Sequence, residues 1–142
     1  MPQLPPQLVW SLVRKQNRFL VKRDRAQFSS EAGNLSNTSN YRSSGLANAK
    51  AVGVSVTFIG EEEKVHLTFK GKKTCKPVLA KVRIPLRNDP RRSARLVRQV
   101  TSGTYYRADL QQDALARYTR QQKSLNRKKA GVVAQGKKGR RR

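Results

Sequence analysis

The chain has 142 residues, 36% of them apolar, and sets 32 Lys and Arg against 8 Asp and Glu, for a formal net charge of +24. That length suits one domain with a tail, and an apolar share below the usual ~45–50% leaves room for only a small core. Solubility needs only ~2–8 net charges in a small domain, so a body this basic calls for a polyanion, and nucleic acid is the commonest one. Cys75 is the sole cysteine, which excludes an intrachain disulfide, and with the sole histidine, His66, it cannot complete a four-ligand zinc site. Neither a metal nor a cofactor is expected. The N-terminus lacks the charged head and apolar run of a secretory signal, and no stretch approaches the ~18 apolar residues of a membrane span. A cytosolic or nuclear protein without a membrane partner is expected.

Residues 1–7 are Pro-rich and read as an extended arm. Leu8, Val9, Leu12 and Val13 recur at helical spacing, and Pro6 or Gln7 suits the first turn. Trp10 falls in this helix and reads as a core residue. Phe19-Leu20-Val21 suits a strand, Asp24-Arg25-Ala26 a turn, and Gln27-Phe28-Ser29 the return strand, with Phe19 or Val21 facing Phe28. The cations packed around this stretch, Arg14, Lys15, Arg18, Lys22 and Arg23, are candidates for RNA contact. From Ser29 to Asn48 the chain turns to Ser and Asn. A loop this much longer than the usual ~4–6 residues is either functional or disordered. Tyr41 and Arg42 within it suit bases and phosphates, although Tyr41 folded onto the core is the plainer reading.

Val52, Val54, Val56 and Phe58 alternate with small or polar residues, and Val65, Leu67 and Phe69 do so after Gly60-Glu61-Glu62-Glu63. Two amphipathic strands around a polar turn predict an antiparallel hairpin. The glutamates should face away from phosphate. His66 falls on the polar face and is expected to be solvated. Lys50, Lys72 and Lys73 flank the hairpin as further cations. Val78 to Leu86 alternates as a third strand, with Lys81 and Arg83 on its other face and Pro85 marking an edge. Asn88-Asp89-Pro90 signals a helix start, and Ala94, Val97 and Val100 give that helix its apolar face before Gly103 stops it. Arg91, Arg92, Arg95 and Arg98 cover its other faces. Tyr106, Arg107 and Asp109 lead into a second helix whose buried stripe is Leu110, Ala114 and Tyr118, with Arg117, Arg120 and Arg127 outside it. From Ala114 onward there are 11 Lys or Arg and no acid. Lys128, Lys129, Arg140, Arg141 and Arg142 belong to a basic tail, residues 128–142, expected to order only on RNA.

No catalytic constellation is legible. Cys75 and His66 have nothing to orient them, and no phosphate-cradling glycine loop occurs. A non-enzymatic binding protein is expected. The fold reads as α+β: a small, mostly antiparallel sheet with an N-terminal helix and two C-terminal helices in a body of residues 8–127, plus the basic extended tail.

Several stretches resemble the eukaryotic large-ribosomal-subunit protein twenty-eight family. They are Leu8, Trp10, Val13, Phe19-Leu20-Val21-Lys22 and Phe28-Ser29 with Glu31, then Asn34-Leu35, Ser43-Ser44-Gly45-Leu46-Ala47-Asn48, Lys50, Val52 and Gly53. Tyr106-Arg107-Ala108-Asp109-Leu110 looks like the family's Tyr-Arg-Pro-Asp-Leu segment, with Ala108 in place of Pro and hence a less sharp helix start. The resemblance implies a structural protein of the cytosolic large subunit that passes through the nucleolus during assembly. It implies contacts with large-subunit rRNA, including a eukaryote-specific expansion region, and with neighbouring ribosomal proteins. A nucleolar assembly factor of the Mak-sixteen type has a similar N-terminal domain but continues into acidic sequence. A basic DNA- or chromatin-binding protein is the rival on charge alone.

Overall fold

A computed structural model describes residues 4–59, 62–71 and 80–138. In chain order these form α1 (Pro6–Val13), β1 (Leu20–Arg23), β2 (Ala26–Ser29), β3 (Val52–Ile59), β4 (Glu62–Lys70), β5 (Lys81–Pro85), α2 (Pro90–Arg98) and α3 (Gln111–Lys138). A π-helical turn, Gln99–Gly103, and a 3-10 turn, Ala108–Leu110, join α2 to α3. The architecture is α+β, with two small antiparallel sheets rather than one: β1-β2 and β3-β4-β5.

The larger sheet follows from the alternation in β3 and β4. Val54 opposes Leu67 and Val56 opposes Val65, so one face is uniformly apolar. That face is covered by Val97 of α2 and by Leu110, Ala114, Tyr118 and Leu125 at the helical spacing of the C-terminal segment, with Leu35 and Leu86 closing the cluster. Leu67 at its centre is fully buried, and burying a Leu side chain contributes about 1.5–3 kcal/mol. Strand β5 pairs only with β4 and ends at Pro85, which needs no donor on that edge. Asp89 caps α2 by accepting from the Arg91 N–H at 3.0 Å, and Pro90 occupies the first turn. In the first hairpin Val21 opposes Phe28, as the sequence suggests.

Three expectations need correction. Helix α1 buries none of its residues, and Leu12 is 66% exposed. Trp10 is half-buried rather than a core residue, with its ring 6.0 Å from that of Tyr41. The cause is competition: α2 and α3 already cover the apolar face of the sheet, so α1 has only the polar loop to lie against. His66 is buried, not solvated, because β4 is the central strand and Ser55 and Pro85 flank it on either side. Its Nδ1 sits 2.7 Å from the Thr57 hydroxyl and 3.1 Å from the Lys64 carbonyl. Finally, residues 128–138, read from their charge as extended tail, continue α3. No Pro interrupts the segment, and its Ala, Gln and Lys residues are strong helix formers that carry the helix across Gly131 and Gly136. Lys72, Lys73, Cys75, the start of the predicted third strand and Arg140 to Arg142 lie outside the described residues.

The Ser- and Asn-rich loop is ordered by one carboxylate. Glu31 is only 7% exposed. Its Oε2 accepts from the Ser44 hydroxyl at 3.0 Å and from the N–H groups of Gly45 and Leu46 at 2.8 and 3.3 Å. Its Oε1 accepts from Asn17 Nδ2 at 3.2 Å. Asn34 adds a second node: its Oδ1 accepts from the Asn37 N–H at 2.8 Å, and its Nδ2 donates to the Thr38 carbonyl at 2.8 Å. Backbones meet at contact distance beneath this network. A Cβ on Gly45 would stand 2.7 Å from Gly33 Cα, and one on Gly53 would strike the Ala32 carbonyl oxygen. Glycine is required there by close approach rather than by a turn.

Glu31→Ala strands several donors in a buried loop and should lower the unfolding free energy by about 2–4 kcal/mol, given ~1–3 kcal/mol per unsatisfied group. Trp10→Ala, which loses one tilted ring contact, should cost less than about 1.5 kcal/mol. Urea unfolding of both variants checks the order; a larger loss for Trp10→Ala would restore Trp10 to the core.

Candidate nucleic-acid interface

The cations fall into three outward-facing groups. Arg14 sits at the C-cap of α1, and Lys15, Arg18, Lys22 and Arg23 follow it through the connection into the first hairpin; all five are exposed. Arg91, Arg92 and Arg95 stand exposed on α2 because Ser93 and Val97 turn inward, and Arg87 and Arg98 extend the same surface. On α3 the buried residues Ala114, Tyr118 and Leu125 leave Arg120, Arg127, Lys128 and Lys129 in solvent, together with Lys123. Lys50 is exposed and lies over the Tyr106 ring, 5.6 Å from its centroid.

Arg42, Arg107 and Arg117, though basic, are engaged within the chain. The Arg107 side chain is 15% exposed. It grips Asp109 with Nε to Oδ1 at 2.9 Å and Nη2 to Oδ2 at 2.8 Å, and donates to the carbonyls of Lys50 at 3.0 Å and Arg42 at 2.8 Å. Four of the five guanidinium donors are therefore occupied. Arg42 bonds the Asp109 carbonyl and pairs with Asp109 and Asp113 at 3.5 and 3.4 Å. Tyr106 completes this latch. Its hydroxyl donates to the Lys70 carbonyl at 2.7 Å and accepts from the Ala51 N–H at 3.3 Å, while its ring meets Phe69 edge-on at 5.8 Å. Burial raises the Tyr106 pKa. The segment Tyr106–Leu110 thus ties the start of α3 to the loop and to β4. Arg117 is half-buried, and its Nη1 makes one long bond to the Leu35 carbonyl at 3.5 Å.

The acids are nearly all occupied by the protein's own cations. Glu62 pairs with Lys64, Glu63 with Lys128 and Asp89 with Arg92, besides Asp109 and Asp113 in the latch. Only Asp24, in the tight turn between β1 and β2, and the caged Glu31 have no such pair among the described acids. Few negative charges remain on the surface to shield the three cationic groups. Sequence reasoning left Arg25, Lys81, Arg83, Arg87, Arg98 and Lys123 outside the candidate set, although all are exposed. Strand alternation sets Lys81 and Arg83 on the outer face and helical spacing sets Arg98 with Arg91, Arg92 and Arg95, so their exposure is legible in the sequence. No group of three or more His, Cys, Asp or Glu among the described residues could hold a metal ion, and none of their helices is long and apolar enough to cross a membrane.

The description of the ribosomal L28e protein family matches residues 8–124, from the first turn of α1 through most of the buried stripe of α3. The chain belongs to this family. It is similar to the large ribosomal subunit protein eL28 of Dictyostelium discoideum, with 32% identity over 133 residues that cover 92% of this chain and 96% of that protein. It is also similar to the protein of the same name from Schizosaccharomyces pombe, with 50% identity over 50 residues, 33% of this chain and 37% of that one. The family match spans both the Glu31-centred loop and the Tyr106–Leu110 latch.

The hydrogen bonds from Arg107, reinforced by its charge and that of Arg42, hold the Asp109 carboxyl below its ordinary pKa. A depressed folded-state pKa adds stability above the unfolded value of about 3.9, and that stability is lost as pH falls through the folded pKa. Stability measured from pH 6 down to 2 should therefore drop more shallowly below about pH 4 in Asp109→Asn than in the parent. Parallel acid limbs would show that the latch carries no such linkage.

Proposed function

We propose that this protein is a structural constituent of the cytosolic large ribosomal subunit of a eukaryote. It binds large-subunit rRNA, including a eukaryote-specific expansion region, and lies against neighbouring ribosomal proteins. The carrying observation is the asymmetry of its charges. The described acids are mostly paired with the protein's own cations, while the cations of the α1–β1 connection, α2 and α3, apart from Arg92 and Lys128, face solvent without an ion-pair partner among the described residues. Rows of Lys and Arg on rigid elements bind phosphate by displacing condensed counterions, a sequence-independent attraction. The chain carries no base-reading module, so RNA shape selects the site. The ribosomal assignment is supported by family membership and by the names of the eukaryotic relatives. Assembly would take the protein through the nucleolus before it resides in cytoplasmic subunits. The role is scaffolding and involves no catalysis or cofactor.

Binding of the full chain to deproteinised large-subunit rRNA should weaken steeply between low and physiological salt. Arg91→Gln and Arg95→Gln should each lower the logarithmic salt slope by about 1 while leaving thermal stability unchanged. Affinity that stays flat with salt would refute the electrostatic mechanism. On sucrose gradients the endogenous protein should co-migrate stoichiometrically with mature large subunits after a moderate salt wash. Association confined to nuclear precursors would identify an assembly factor instead, and displacement by excess duplex DNA would identify a DNA binder.

A further inference from the structure

The first hairpin turns an apolar face toward the body of the protein without reaching it. Val21 and Phe28 oppose each other across the hairpin, and Arg23 shares their face by the two-residue period. All three line a cavity of about 580 Å3 whose other walls include Ser55 of β3 and Arg117 of α3. Val21 and Phe28 remain 52% and 43% exposed because this gap separates them from the wall opposite. A space of this size lies in the ~300–1,000 Å3 range of small-ligand sites.

Several polar groups around the gap lack partners. Arg117 Nε is buried and has no acceptor. A buried donor without a partner is costly; the Nη2 of the same guanidinium makes no hydrogen bond to the described residues and is the group an anion in the cavity would meet. Arg23 forms no ion pair among the described residues, and the Asn37 side-chain amide and Ser55 hydroxyl make no hydrogen bond to them. Glu31 also lines the cavity, but both its carboxylate oxygens are already bonded to Asn17, Ser44, Gly45 and Leu46, and it is almost fully buried. An arriving anion therefore meets two guanidinium charges against one almost fully buried carboxylate whose oxygens are already hydrogen-bonded.

We infer that this cavity receives one unstacked nucleotide of the bound RNA, its base against Phe28 and its phosphate on Arg117 and Arg23. The combination is specific to that occupant. An aromatic ring beside a branched aliphatic wall accepts the face of any base, the amide and hydroxyl suit a base edge, and two guanidiniums suit a phosphate. An acidic peptide would use the guanidiniums but leave the Phe28 face unfilled. The inference rests on the RNA-binding reading above and adds to it a stacking contact that electrostatics alone does not supply.

The test uses the full chain and deproteinised large-subunit rRNA. Phe28→Ala should weaken binding about tenfold, the usual scale of one lost base–aromatic stack, with the salt slope unchanged because no charge is removed. Phe28→Tyr should bind like the parent and Phe28→Leu should lie between, which separates a lost ring from a damaged fold. Phe58→Ala, at an exposed ring on β3 that does not line the cavity, should bind like the parent. Unchanged affinity in Phe28→Ala, with the steep salt slope of the parent intact, overturns the pocket and leaves the electrostatic reading standing. A parent protein that shows no salt-dependent RNA binding overturns both. Loss of binding to a glutamate-rich peptide but not to RNA in Phe28→Ala would make the cavity a protein-docking site and overturn the nucleotide assignment.

Discussion

The Glu31 carboxylate is the contact on which the upper half of the molecule depends. It gathers the connection after α1, the start of the long loop and that loop's far turn onto two oxygen atoms. A chain with few apolar residues cannot order twenty loop positions by burial. It uses instead a charged acceptor surrounded by amide and hydroxyl donors, a network whose members strengthen one another in a low-dielectric setting. No cation among the described residues forms an ion pair with this carboxylate, and its cage is built of neutral donors. Three glycines then let the loop lie directly on the backbone of the neighbouring strand.

The latch at Tyr106–Leu110 performs the corresponding task at the other end of the loop. Arg107 reaches carbonyls at positions 42 and 50 while holding Asp109, so the loop's second half and the start of α3 move together. Two arginines that look like RNA ligands are thereby committed to holding the fold. Their positive charge still adds to the field around the protein, but their donors are directed inward. The consequence is that the loop bearing Arg42 and Lys50 is held to the helix bearing Arg120 and Arg127.

Local periodicity made much of this readable. The alternation of β3 and β4, the capped start of α2 and the buried spacing of Leu110, Ala114 and Tyr118 each depend on neighbours in sequence, and each appears in the structure. The misread features depend on distant parts of the chain. Trp10 looks like a core residue because its helix is amphipathic, yet the sheet face that would have received it was taken by α2 and α3. His66 alternates with the apolar residues and so reads as exposed, but a polar face on a central strand need not be wet. An Asn- and Ser-rich loop has the same composition whether it is solvated or knitted together. Nothing local distinguishes Glu31 from a surface glutamate, and the pairing of Arg42 with Asp109 spans 67 positions. Charge count alone cannot tell a cation that binds a partner from one that binds the protein itself.

Helix α3 runs 28 residues, while Leu125 is its last buried side chain among the described ones. The thirteen residues beyond that point extend the axis by about 20 Å at 1.5 Å per residue. A helix of this kind acts as a ruler. Arg127, Lys128 and Lys129 each have a set height and a set angle along it, so insertion of a single residue before them would turn their charges by about 100° and raise them by about 1.5 Å. A flexible tail would tolerate such an insertion; a ruler would not. The C-terminal portion of this small protein is therefore constrained in phase as well as in charge.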